Sequence, residues 1–189
     1  MAKKLARGFK AEAERLAVAV RQVMGLGTLQ RLDPLQLADY QGIAAVSVSG
    51  LLDLDAERGI ISRRPSANAT FSAMIVCLGK DRLIVYNERH PPSRRANSLA
   101  HEVSHVLLGH PPEPGDFEDG QRYWDARMER EADWLAAALL VPREGALQWL
   151  LNGGDMAGGA NNFGVSFDLF QWRANQTGVV HQLRAMAAM

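Results

Sequence analysis

The residues best equipped for chemistry lie within five positions, His101-Glu102-Val103-Ser104-His105, an H-E-x-x-H motif. On a helix, positions i and i+4 stand one turn apart on the same face. Two imidazoles so placed can reach a single ion, and zinc favours neutral imidazole nitrogens in tetrahedral geometry. Glu102, beside the first histidine, is positioned to act as general base on a water that the metal acidifies. Leu99, Val103, Val106, Leu107 and Leu108 make the surrounding helix largely apolar. Burying two histidines and a glutamate there is costly unless they have partners, and a metal is the simplest one.

A catalytic zinc site usually takes three protein ligands and leaves one position open. Three residues compete for the third place. His110 follows His105 by five positions, whereas the metzincin register requires a glycine three residues on and a histidine six on. Glu131 is flanked at helical spacing by Met128, Trp134, Leu135 and Ala138. A carboxylate among those residues faces inward and needs a cation, so Glu131 is the expected third ligand. Glu129 lies about 160° from it around a helix, so only one of the two can point at the site. A salt bridge from Glu131 to Arg127 is the plainer alternative.

The positioning elements follow from periodicity and breakers. Leu5, Phe9, Ala13, Leu16, Val20 and Val23 predict an amphipathic helix over 3–24, ended by Gly25 and Gly27. A short helix is expected over 34–40 and a strand over 43–48. Residues 51–69 give no clear pattern, and 63–66 read as loop. Thr70 to Leu78 and Arg82 to Asn87 form a β-hairpin pattern about a turn at Gly79, Lys80 and Asp81. The motif helix is expected from 93 to 108, a Pro/Gly-rich loop to about Gly120, and a helix over 122–140 that carries Glu131. Pro142 stops it and opens another helix to 151. Asn152-Gly153-Gly154 breaks the chain, and two or three short helices follow, with Gly164-Val165-Ser166 as a turn between two of them. Gly158 and Gly159 disfavour helix where one is expected. The domain reading is 1–152 for the chemistry and 153–189 for a C-terminal helical extension.

Apolar residues make up 47% of the 189, enough for a hydrophobic core. Twenty-one Lys and Arg balance twenty-one Asp and Glu, so no net field draws the chain to nucleic acid. The single cysteine, Cys77, sits among Ile75, Val76 and Leu78 and reads as a small core residue. It fits a reducing compartment. The basic start at 1–10 is followed by charged residues rather than an apolar run, so no secretory signal is expected. The uncharged stretch from Trp134 to Val141 is too short to span a bilayer. A cytoplasmic protein is expected. The four tryptophans are expected in the core.

The chain resembles the ImmA/IrrE family of metallopeptidases. The stretches ARGFKAEAE (6–14), IVYN (84–87), RRANSLAHEVSHVLLGH (94–110), EREADWLAAALLVP (129–142) and FGVS (163–166) carry the resemblance. It implies an α+β, zincin-like fold, mainly helical with a small sheet. It implies an intracellular endopeptidase with His101, His105 and Glu131 on Zn2+ (Mn2+ also suits the site) and Glu102 as base. It also implies a helix-turn-helix transcription repressor as protein substrate. The substrate strand would add to a sheet edge, either 70–78 or 82–87. Tyr123 and His110 lie near the site in sequence but read as structural or surface residues rather than oxyanion donors.

Two rival functions remain. One is a metal-bound regulatory module that binds a repressor without cutting it. The other is DNA binding by the helix–turn–helix-like segment 160–173. Arg173 is nearly alone as a basic residue there, whereas a reading helix carries several basic or amide side chains, so direct nucleic-acid binding is not expected.

Overall fold

The amphipathic start folds as α1 (Phe9–Val23), which buries Ala13, Ala17 and Arg21, one residue per turn along one stripe. Residues 5–8 are not helical; Gly8, at φ 89°, sits at the N-cap and shortens the expected helix. The computed structural model describes residues 5–52, 71–78, 81–111 and 125–188. The expected loop at 63–66, the turn at Gly79 and Lys80, the loop from Pro112 to Gly120, and Tyr123 and Trp124 lie outside the described residues.

Helix α2 (Pro34–Tyr40) starts where Asp33 accepts a hydrogen bond from the Leu35 N–H, with Pro34 in the first turn. Strand β1 (Ala44–Ser47) follows, and residues 48–52 turn helical. Strands β2 (Ala73–Leu78) and β3 (Asp81–Tyr86) pair antiparallel, Ile75 opposite Ile84. Strand β1 pairs parallel with β3, so the sheet order is β1-β3-β2. β3 is thus central, which removes 82–87 as a docking edge; among the described residues β2 pairs on one side only. Cys77 is exposed rather than buried. It lies opposite Arg82 near the end of β2, beyond the part of the strand that meets the core.

Helix α3 (Pro92–Leu107) lies between the sheet and helix α4 (Ala126–Leu140). Leu99, Ala100 and Val103 are its buried stripe. From Trp134 to Leu140 every residue of α4 is buried, and α1 packs against it as well. Each fully buried leucine there contributes about 1.5–3 kcal/mol. The first turn of α4 is polar and only half-buried, so this helix presents charged residues at one end and forms core at the other.

The C-terminal carbonyls of α4 lack helical donors. Arg21 donates to the Leu139 carbonyl at 2.9 Å and Arg173 to the Val141 carbonyl at 3.0 Å. Both cations also suit the negative end of the helix dipole. Helices α5 (Arg143–Leu151), α6 (Met156–Phe163), α7 (Phe167–Gln176) and α8 (Val179–Ala187) complete the chain. Ala146, Phe163, Val165 and Phe170 join the same core as α1, α3 and α4, so packing is continuous across residue 152. Gly158 and Gly159 are helical after all. A Cβ on Gly159 would stand 2.3 Å from the Phe170 ring, so a close helix contact explains this glycine.

Candidate metal centre

Each histidine of the motif meets a carboxylate from the facing helix. His101 and His105 project from successive turns of α3, and Glu129 and Asp133 from successive turns of α4. The His101 and His105 Nε2 atoms are 3.1 Å apart. One Glu129 oxygen lies 3.2 Å from His101 Nε2 and the other 3.5 Å from His105 Nε2. Among the described residues, this trio has its ligand atoms all within 4.8 Å of one another. Ligands at normal zinc distances in a tetrahedron are about 3.4 Å apart, so three atoms within 4.8 Å of one another are close enough to converge on one ion. The trio is half-buried, which suits an ion that keeps an open position.

Glu131, the expected third ligand, does not join this trio. Its carboxylate meets His110 Nε2 at 3.3 Å instead. The cause is helical phase: Glu129 and Asp133 share a face, and Glu131 lies about 160° from Glu129. Glu131 is buried where α4 enters the core, whereas the ligand set opens at the polar first turn. The pair of acids at i and i+4 on α4, Glu129 and Asp133, matches the histidine pair on α3.

Asp133, not among the expected site residues, accepts from His101 Nδ1 at 2.9 Å. Glu102 follows His101 on α3, is half-buried, and its negative charge acts on His101. Burial disfavours the His101 imidazolium, but hydrogen bonds to Asp133 and Glu129 outweigh it and raise its pKa to about 10. Burial, then the charge on His101, pushes His105 down to about 4. The hydrogen bond from His101 holds the Glu129 carboxyl below its ordinary value, against the opposing effect of burial. Metal-free, the cluster therefore keeps one proton on His101, shared towards Glu129 and neutral His105.

The chain turns sharply after the motif. Gly109, at φ 65°, lets the His110 N–H reach the His105 carbonyl at 3.0 Å and the Gly109 N–H the Val106 carbonyl at 3.0 Å. This is a Schellman ending, and it folds His110 back against His105. In the C-terminal segment, Arg173 is fully buried and paired with Glu14, so the residue most like a DNA-reading arginine is unavailable to DNA. Trp134 is buried, whereas Trp172 is exposed and departs from the expected core placement.

Residues 62–175 match the sequence model of Peptidase_M78, the IrrE N-terminal-like domain. The chain belongs to this family, and its fold is α+β and zincin-like: a metallopeptidase-like domain. A transcriptional regulator of Mycobacterium tuberculosis has a similar fold, with a TM-score of 0.50 and 18% identity. The match covers 88% of this chain and 46% of that regulator, so the chain spans about half of its length. No curated protein matches the chain. No helix among the described residues is long and apolar enough to cross a membrane.

Proposed function

We propose that the protein is an intracellular zinc-dependent endopeptidase that cuts a protein substrate, a helix-turn-helix transcription repressor. The observation that carries this reading is the convergence of His101 Nε2, His105 Nε2 and the Glu129 carboxylate, with ligand atoms all within 4.8 Å of one another. These three residues hold the ion, with Mn2+ as an alternative occupant. When bound, the metal polarises a carbonyl and acidifies water. Glu102 takes a proton on its carboxylate and returns it to the leaving amine nitrogen. Asp133 holds the Nδ1 proton of His101 and so keeps Nε2 turned to the ion. The substrate strand adds to β2, whose outer side is unpaired among the described residues. Residues 1–152 carry the chemistry, and 153–189 brace α4 through Arg173. The repressor as substrate and the intracellular setting rest on the family resemblance, together with the single cysteine.

The test is incubation with a repressor encoded beside the protein, following cleavage fragments. Glu102→Gln should keep its zinc and lose about 10²–10⁴-fold in cleavage rate. Full activity in that variant at normal zinc content would remove Glu102 as the base. Binding without fragments, with either zinc or manganese, would overturn the peptidase reading.

A further inference from the structure

Behind the ligand set lies a second pair of ionisable side chains that the chemistry above leaves without a role. His110 and Glu131 have side-chain exposures of only 8% and 11%. His110 Nδ1 lies 3.0 Å from His105 Nδ1, and its ring meets that of His105 edge-on at 4.9 Å. On its other side His110 Nε2 reaches Glu131 at 3.3 Å. His110 is therefore on the far side of the His105 ring from the nitrogen that joins the trio.

Proton positions follow from this arrangement. A metal on His105 Nε2 requires an unprotonated nitrogen there, so the ring proton sits on Nδ1. The atom facing it, His110 Nδ1, must then accept, which puts the His110 proton on Nε2. Glu131 is an acceptor at the end of that bond. A single tautomer assignment satisfies every contact, and the Schellman turn at Gly109 holds His110 in register with His105.

We propose that His110 and Glu131 are positioning residues for the metal: a carboxylate–imidazole relay that fixes the tautomer and rotation of His105. The proposal rests on His101, His105 and Glu129 being the ligands. It gives the buried Glu131 an outer-sphere role, while Glu129 is the carboxylate that meets the ion. The relay also differs from the His101 side, where one exposed carboxylate, Asp133, does the same work directly. Outer-sphere partners of this kind raise ligand basicity and remove alternative ring orientations.

The experiment is a zinc dissociation constant for the folded protein, read by competition with a chromogenic chelator, together with circular dichroism of each metal-free variant. Wild type should bind one zinc ion. His110→Phe, which keeps the ring but offers no acceptor, should bind about 10–100-fold more weakly. His110→Asn returns an acceptor near the Nδ1 position and should recover most of that loss. Glu131→Gln keeps the shape but removes the charge, and should weaken binding by about tenfold. Unchanged affinity in folded His110→Phe overturns the relay; if that variant does not fold, unchanged affinity in Glu131→Gln does. A purely structural role would lower thermal stability in these variants without changing zinc affinity, and that result also overturns it. Failure of the metal reading itself is distinct: wild type would then bind no zinc, or His101→Ala would bind it as well as wild type.

Discussion

Replacing Arg173 by methionine should destabilise the protein strongly without touching the metal centre directly. The guanidinium is fully buried. It donates to both Glu14 oxygens, at 2.8 and 2.9 Å, and to the Val141 carbonyl at 3.0 Å. Methionine fills much of the volume but strands the Glu14 carboxylate and removes a donor from the end of α4. Breaking a buried pair by deleting one partner costs about 3–5 kcal/mol. Glu14 retains 20% side-chain exposure, so the lower end, about 3 kcal/mol, is expected. For a chain of this length that corresponds to a fall in Tm of about 6–12 °C. Urea titration and thermal melts of wild type, Arg173→Met, Glu14→Gln and the double variant form the assay. The double variant should lose less than the sum of the singles, because the second change removes a charge the first has stranded. A loss below about 0.5 kcal/mol in Arg173→Met, or strict additivity, would refute the reasoning.

Metal loading at pH 7.5 should release about one proton per ion, because metal-free His101 has a pKa of about 10 and must surrender its proton to bind. Calorimetry in two buffers of different ionisation enthalpy reads this directly, and zero release would contradict it. The sign for the metal-free protein is opposite. A raised pKa on His101 stabilises the fold fully below its unfolded value near 6.5, and that contribution is lost as pH rises through about 10. Urea midpoints of the metal-free form should fall over that range. Gly159→Ala should cost about 1–3 kcal/mol by pushing a methyl into the Phe170 ring, which stacks on Phe163 at 5.8 Å. A urea midpoint equal to wild type would show that α6 and α7 can separate freely.

Local patterns in the chain carried the elements well. The 3.6-residue periodicity of α1 and α3 and the β-branched runs of β2 and β3 come from side chains acting on their own segment. His101 and His105 were legible for the same reason, since one helical turn relates them. What could not be read locally was tertiary. The parallel pairing of β1 with β3 joins segments distant in sequence and puts β3 at the centre. Arg173 looks like a surface residue until Glu14, far upstream, closes over it. That Glu129 rather than Glu131 meets the two histidines depends on which face of α4 turns to α3, and neighbouring apolar residues report only which residues are buried. Cys77 follows the same lesson: apolar neighbours describe a strand, but where that strand runs past the core decides exposure.

The most direct test of the metal centre is the zinc affinity of Glu129→Ala beside that of Glu131→Ala, measured on folded protein with one competing chelator. A centre of His101, His105 and Glu129 predicts one zinc per wild-type chain. It predicts a loss in Glu129→Ala that exceeds the roughly 10–100-fold of an outer-sphere change, and a loss in Glu131→Ala that stays within it. Zinc retained at wild-type affinity by Glu129→Ala, with binding abolished in Glu131→Ala, would contradict it.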